Sequence, residues 1–289
     1  MKMKLLTTLF ALALTVSVQA QTKDSIDTAQ FAAIYDYTVR TQDDEGTDVC
    51  DSIQVVVQVG QRVTKCMPGS HYQARKSYAS ASQAEFRNLI GTQHLETLTH
   101  MPTVWINHPE GTTTVREKVF PREFEGHEPT PSLDWTLTDD TLTINGYLCS
   151  RAETTFRDIR WEVWYTEEVP SSVGPWRLRG LPGLIVKATG NAHTFTLAEL
   201  RHETSAITYA SDIKIERMKY PKLLKYRNEV FGSKQYPKNP LHYLPANTDM
   251  GIEHVTVVKN ESGNGGYIIA NGSFHMLQKA HVYQPLEKK

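Results

Sequence analysis

The sequence predicts a mainly β fold: a single large curved antiparallel sheet or open half-barrel with one or two helices packed against it. Three observations support this prediction. Short runs of alternating apolar and polar residues recur along most of the chain, turn-forming residues separate them, and only two segments favour a helix. Because short turns rather than helical crossovers join the predicted strands, we expect neighbouring strands to run antiparallel.

The first twenty residues have the features of a secretion signal. Lys2 and Lys4 form a basic start, an apolar stretch follows, and Val18-Gln19-Ala20 resembles a cleavage site. We therefore expect secretion across the inner membrane, with cleavage after Ala20. The apolar stretch is too short for a stable anchor, and no later segment has about 18 uninterrupted apolar residues, so we expect no membrane span in the mature chain.

The first half of the mature chain is predicted to consist mostly of hairpins. A strand is predicted over Phe31–Arg40 and a hairpin over Ser52–Cys66. Two more strands are predicted within Thr103–Phe120, about the turn His108–Gly111. Between these hairpins, Ala79–Ile90 has the residues of a capped helix.

Further strands are predicted as far as about residue 200, after a Pro-rich spacer over Gly126–Ser132. The clearest are Asp158–Thr166 and a hairpin over Leu184–Leu200. Alternation assigns faces within two of the strands. One shared face is formed by Val55, Val57 and Val59, and another by Ile159, Trp161, Val163 and Tyr165.

The last part of the chain is predicted to be an irregular extension, from about residue 212, of one domain that spans residues 21–289. Pro221 suits the first turn of a helix, so a short helix is predicted to follow it. A final pair of strands is predicted around the turn at residues 261–266.

A short motif, Gly180-Leu-Pro182-Gly183-Leu-Ile185, lies between a Trp-rich segment and the next predicted strand. Proline presets the first central position of a β-turn, and glycine takes the positive φ of the second, so Pro182-Gly183 predicts a type II turn. Leu184 then enters a buried strand. The motif lacks the spacing of dinucleotide- and phosphate-binding loops, and a strand follows it instead of a helix, which argues against a phosphate site.

The residues around this motif resemble a known family. Together with Ile144–Ala152 and Trp164–Trp176, the motif is similar to the GLPGLI family of secreted proteins from Gram-negative bacteria. The similarity covers Ile144–Ala188. The motif positions that it includes are Gly180, Pro182, Gly183 and Cys149. The resemblance implies a periplasmic, cell-envelope location and a β-rich fold, and it implies no reaction.

Three cysteines follow the signal, and an oxidising compartment permits one disulfide among them. Cys50 and Cys66 are the candidate pair because they are close in sequence, although spacing alone leaves a free-thiol state equally open. Cys149 lies in a strand-like run, where a buried thiol or disulfide partner is favoured over a nucleophile.

Searches for catalytic motifs find no established pattern. The chain lacks the G-x-S-x-G elbow, and Ser171 and Ser172 have no recognisable His and Asp partners. His127-Glu128 and His202-Glu203 lack the second histidine that HExxH requires. Two His-Met pairs could suit copper, but neighbours on a strand point to opposite faces. The pairs are His100-Met101 and His275-Met276.

Large aromatic residues near the motif suggest either an apolar ligand groove or ordinary core packing. The candidate ligand-binding residues are Trp161, Trp164, Tyr165, Trp176 and Leu181. A net charge of -1 gives no basis for binding nucleic acid or an anionic membrane surface.

These observations favour a non-enzymatic periplasmic protein that binds a ligand or partner, without a cofactor. The expected kind of partner is an outer-membrane transporter or an envelope assembly machine. Two alternatives stay open: a hydrolase or peptidase with an unrecognised catalytic set, and a metal-binding envelope protein that uses His and Met.

Overall fold

The computed structural model describes residues 24–43, 45–72, 101–119, 122–210, 215–232, 255–259, 266–270, 273–277 and 283–288. These residues form a mainly β fold, as the sequence predicts. The elements, in chain order, are β1 (Ser25–Gln42), β2 (Asp48–Gly60), β3 (Thr64–Pro68), β4 (Thr103–Ile106), β5 (Thr112–Val119), β6 (Arg122–Pro129), β7 (Thr136–Ile144), β8 (Tyr147–Phe156), β9 (Ile159–Thr166), β10 (Leu184–Gly190), β11 (His193–His202), β12 (Ala206–Thr208), β13 (Glu216–Lys219), α1 (Tyr220–Phe231), β14 (Val255–Lys259), β15 (Gly266–Ala270) and β16 (Ser273–Leu277).

One sheet of thirteen strands dominates the described part of the chain. It contains two meanders that meet along β1. Strands β2 to β6 follow one another outward from β1; the chain then crosses to the far edge, and β7 to β11 return until β11 pairs with β1. Strand β13 pairs with β6 in parallel, so the sheet is mixed, whereas its other described pairs are antiparallel, as predicted.

The main hydrophobic core lies on one face of this sheet, called here the core face. Val55, Val57 and Val59 belong to it, which confirms the predicted alternation, while Val56 packs into a smaller cluster. Alternate residues of β9 from Ile159 to Tyr165 are also buried there, again as predicted. The loop between β9 and β10, the helix α1 and residues 283–288 all contribute side chains to the same core.

Two segments predicted to be irregular contain strands or a helix. Residues 126–129 belong to β6 rather than to a spacer, and Gly126 lets α1 approach closely, because a Cβ there would lie 2.8 Å from the Tyr220 ring. Past residue 212, β13 and α1 extend the sheet and its core. The helix after Pro221 is confirmed. The predicted final strand pair corresponds to β14 and β15, to which β16 adds a third strand.

The predicted helix over Ala79–Ile90 and the signal at residues 1–20 lie outside the described residues. Within the described ranges, no helix has both the length and the apolar character needed to cross a membrane.

The predicted type II turn at Pro182-Gly183 is wrong. The left-handed glycine is Gly180, with a φ of 95°, and Gly183 is not left-handed. Gly183 is needed for a different reason: a Cβ there would lie 1.9 Å from the carbonyl oxygen of Thr166, so only glycine lets this loop cross so close to the end of β9. Leu184 then starts β10, as predicted.

Candidate functional site

The aromatic residues predicted to line a groove lie mainly in the core. Trp161 and Trp176 are fully buried, with ring centroids 5.6 Å apart. Tyr165 and Leu181 are buried as well, and Trp164 is only partly covered. Of the two predicted possibilities, these four residues therefore fit core packing; β9 contributes Trp161 and Tyr165, and the loop between β9 and β10 contributes Trp176 and Leu181.

The predicted Cys50–Cys66 disulfide is also wrong. Cys66 lies opposite Val57 in the β2–β3 pair, and Cys50 lies seven positions before Val57 on β2. At about 3.3 Å per residue, the two cysteines are separated by roughly 23 Å along the strand, far beyond disulfide range. All three thiols are free.

Neither buried thiol is suited to nucleophilic attack. Burial raises the pKa of Cys66 to about 12, although a hydrogen bond from the Trp176 backbone N–H, 3.2 Å from Sγ, opposes this rise. Burial likewise raises the pKa of Cys149. Because the thiolate is the reactive form, both groups are unreactive at neutral pH.

Two clusters of charged side chains lie on opposite faces of the sheet near β6. Because side chains alternate along β6, this strand contributes residues to both clusters. Glu128 points to the core face, whereas Glu125 and His127 point to the opposite face of the sheet, called here the outer face. We define the buried cluster as Glu117, Glu128, Arg157, Arg177, Arg227 and Glu287. We define the outer-face cluster as Arg116, Glu125, His127, Tyr209 and Arg217.

The buried cluster is centred on two nearly inaccessible arginines. Arg227 Nη1 lies 2.6 Å from Glu117 Oε1, and Arg177 Nη1 lies 2.8 Å from Glu287 Oε1. Arg177 also pairs with Glu128. Burial alone would lower the pKa of Arg177, but the charges of Glu287 and Glu128 outweigh it and raise that pKa. The guanidinium is therefore permanently charged and needs its carboxylates.

The outer-face cluster is organised by Glu125, whose side chain is fully buried. Its Oε2 accepts hydrogen bonds from Arg116 Nε and Nη2, at 3.1 and 2.6 Å. Its Oε1 lies 2.8 Å from the Tyr209 hydroxyl, 3.1 Å from Arg217 Nε and 3.0 Å from His127 Nε2. One carboxylate thus fixes the positions of four side chains.

The electrostatics follow from these contacts. Burial would raise the pKa of Glu125, but hydrogen bonds from Arg116 and Tyr209 and the Arg116 charge hold it below its usual value. Burial, followed by the hydrogen bond to Glu125, raises the pKa of Tyr209. The bond to Glu125 also raises the pKa of Arg217. At neutral pH the cluster therefore contains a carboxylate, a neutral phenol and two guanidinium groups.

Solvent reaches this cluster at its rim. The side chains of Arg217 and His127 are 46% and 33% exposed, whereas that of Arg116 is 13% exposed. Two half-buried rings adjoin them: Tyr209 meets His108 edge to face, with centroids 4.7 Å apart. Charged groups and aromatic surface are thus accessible side by side.

A hydroxyl also reaches the imidazole of this cluster, but its geometry does not fit a nucleophile. Thr114 Oγ1 lies 3.1 Å from His127 Nδ1 and donates its proton to the His108 carbonyl oxygen, 2.6 Å away. Because this proton already points to a carbonyl oxygen, His127 does not act as a base for the hydroxyl. Thr114 is also fully buried.

Among the described residues, no group of three or more His, Cys, Asp and Glu side chains is arranged to hold a metal ion. Of the two His-Met pairs, only the side chain of Met101 lies within the described part of the chain, and it is packed in the core.

Sequence reasoning missed both clusters. The sequence shows His127-Glu128 only as an incomplete zinc motif, and the predicted spacer over Gly126–Ser132 hides the alternation that continues from Glu125. Treating Glu123–Pro129 as a strand would have separated Glu125 and His127 from Glu128 by face. Nothing local could have paired Arg177 with Glu287, which is 110 residues away.

Comparison with known proteins gives limited matches. A family model described as "N-glycanase peptide, N-terminal domain" matches residues 131–228, about a third of the chain. No curated protein matches. Two solved structures of PNGF-II, in space groups P21 and C2, are similar at 15% and 16% identity, with TM-scores of 0.46 and 0.40. The similarity to these two structures covers 72% and 68% of this chain. It covers 34% and 32% of the PNGF-II chains, so this chain spans about a third of the length of PNGF-II.

Proposed function

We propose that this protein is a secreted, non-enzymatic binding protein of the bacterial envelope, and that its outer-face cluster holds a carboxylate-bearing saccharide. The observation that carries this proposal is the bonding of Glu125. A buried carboxylate with four side-chain partners fixes Arg217, His127 and Tyr209 before any ligand arrives. Such preorganisation reduces the entropy lost on binding.

The charge at this surface favours an anionic ligand. Arg116 and Arg217 oppose the single charge of Glu125. Lys65 adds a third cation beneath the aromatic rings, with Nζ 4.9 Å from the Trp105 ring centroid. Two guanidinium groups thus contact one carboxylate, and guanidinium groups bind carboxylates with charge-assisted hydrogen bonds.

The neighbouring rings favour a saccharide over a simple ion. His108 and Tyr209 present half-buried aromatic surface beside Arg217 and His127, and such surface packs against the apolar C–H groups of a sugar ring. The matching family is named as the N-terminal domain of an N-glycanase, a name that also suggests glycans. The match includes Tyr209 and Arg217 but not Glu125.

We extend the proposal to a partner: an outer-membrane transporter or envelope assembly machine that receives the bound ligand. The secretion signal supports this extension. A hydrolase has less support, because the buried thiols have raised pKa values and the Thr114 proton is directed to a carbonyl oxygen.

The proposal is tested by calorimetric titration of the purified mature chain with N-acetylneuraminic acid, and with neutral N-acetylmannosamine as the matched uncharged sugar. We expect only the acid to bind. Arg217→Gln should weaken its binding roughly tenfold or more, since a charge-assisted hydrogen bond is lost.

The control variant is Arg201→Gln. Arg201 is 40% exposed and also pairs with a glutamate, Glu199, but lies outside the cluster. It should bind the acid as the wild type does, and both variants should keep the wild-type unfolding midpoint. Equal binding of the two sugars, or no binding of either, would contradict the proposal.

A further inference from the structure

Residues 283–288 lie on the core face without joining a strand, and distant residues hold them there. Asn228 Nδ2 donates to the Glu287 carbonyl oxygen at 2.9 Å. The Lys288 backbone N–H donates to the Arg157 carbonyl oxygen at 3.1 Å. Leu286 is buried in the main core. The segment is therefore bound much as a separate peptide would be.

Its upstream part is bound in the same way. His193 Nε2 donates to the Pro285 carbonyl oxygen at 3.2 Å, while the Tyr37 hydroxyl donates to His193 Nδ1 at 2.9 Å. This polarity follows because a carbonyl can only accept, which leaves Nδ1 as the acceptor. Asn191 Nδ2 also reaches the Gln284 side-chain oxygen at 3.2 Å.

The centre of this site is a carboxylate-binding position. The Glu287 side chain is fully buried, with Oε1 2.8 Å from Arg177 Nη1 and Oε2 3.7 Å from Arg157 Nε. The buried cluster contains three arginines and three glutamates. Without Glu287, three guanidinium groups would face only Glu117 and Glu128, so an acidic group is required at this position.

The position is also incompletely satisfied with Glu287 in place. Three buried donors of the described residues around Glu287 have no hydrogen-bond partner: Arg177 Nε, Arg227 Nη2 and the Tyr220 hydroxyl. Glu287 Oε2 is buried and accepts no hydrogen bond from the described part of the chain, although it lies in ion-pair range of Arg157. The arginines around this position therefore have unused donors that an acidic group of a ligand could engage.

We propose that this surface is a binding site for acidic peptides, which residues 283–288 occupy in cis. The ligand class is an extended segment with a leucine for the core, followed by an acidic residue for Arg177 and Arg157. The site lies on the face opposite the outer-face cluster, and it does not depend on the saccharide proposal.

The test separates the segment from the folded chain. A protease site is inserted between residues 278 and 282, the folded protein is cleaved, and a fluorescent peptide of residues 283–289 is titrated by anisotropy. We expect the peptide to bind, and the Glu287→Gln peptide to bind roughly 100-fold more weakly or worse, because it leaves Arg177 short of a charge.

The matched control is the Lys288→Gln peptide, which should bind within about twofold, because Lys288 is exposed and its contacts here are made by the backbone. Unlabelled peptides that contain Pro-Leu-Glu should displace the probe, and those with Pro-Leu-Gln should not.

Three results would overturn the inference. One is equal binding of the Glu287→Gln and wild-type peptides. Another is failure of the probe to bind the cleaved chain. The third is loss of the β circular dichroism signal on cleavage, which would make residues 283–288 an integral part of the core rather than an exchangeable ligand.

Discussion

The two charged clusters use the same kinds of side chain, and neighbouring residues of β6 contribute to both, but they differ in access to water. Arg177 is 2% exposed, whereas Arg217 is 46% exposed. Each guanidinium pairs with a fully buried carboxylate, Glu287 or Glu125. A buried charge cannot be rescued by solvent when its partner is lost, whereas a half-exposed charge can. Similar ion pairs therefore differ in what the loss of one partner costs: a large loss of stability in the buried cluster and a small one in the outer-face cluster.

The largest expected effect comes from removing the charge at the centre of the buried cluster. Arg177→Met removes a buried charge that pairs with both Glu287 and Glu128 and leaves Arg157 as their remaining shared partner, so it should lower the free energy of unfolding by about 3–5 kcal/mol. Urea denaturation followed by circular dichroism measures this change. Arg217→Met, in the outer-face cluster, should shift the urea midpoint far less. Similar shifts for the two variants would remove the distinction between the clusters.

A second expected effect is a loss of stability in acid on the core face. Burial lowers the pKa of His193 from 6.5 to about 4, although the hydrogen bond to the Pro285 carbonyl oxygen favours a higher pKa. Between these values the unfolded chain binds a proton that the folded chain does not. The free energy of unfolding should therefore fall by about 3 kcal/mol as the pH drops from 6.5 to 4, with no further loss from this group below that range.

Denaturation curves at half-unit pH intervals measure this dependence. In His193→Gln the slope between pH 6.5 and 4 should be shallower than in the wild type. An unchanged slope would show that other groups cause the acid sensitivity.

The smallest expected effects come from the glycines of the loop between β9 and β10, which carries Arg177. Gly183→Ala places a methyl group against the Thr166 carbonyl oxygen, and should cost about 2–3 kcal/mol as the loop moves off β9. Gly180→Ala should cost about 1 kcal/mol, because its strain is only the left-handed φ; the nearest atom to the added carbon is 3.7 Å away. Thermal unfolding of both variants decides the order, and a larger cost at Gly180 would contradict the proposed role of Gly183.

The mainly β fold could be predicted from the sequence because apolar and polar residues alternate within each short segment that forms a strand. The faces of β2 and β9 and the helix after Pro221 were all predicted correctly. The turn at Pro182-Gly183 was mispredicted because Gly183 is required by a contact with β9, not by its own φ. Such a requirement depends on tertiary packing, which turn propensities do not contain.

Most of the candidate site could not be predicted, because its residues are brought together by long-range pairing. Arg116 and Glu125 become neighbours through the β5–β6 register, and Arg217 joins them through the parallel β13. The sequence predicts Trp161 and Trp176 as candidate binding residues, yet large aromatics also pack cores, and here they do so.

The shared strand β1 has a consequence for how the molecule unfolds. Its 18 residues bond to β2 on one side and to β11 on the other, so neither meander has a complete sheet without it. Cutting the chain between β6 and β7 would leave the second meander with an unpaired apolar edge. We therefore expect amide protons near the centre of β1 to exchange most slowly, and only when both meanders open in a single cooperative event.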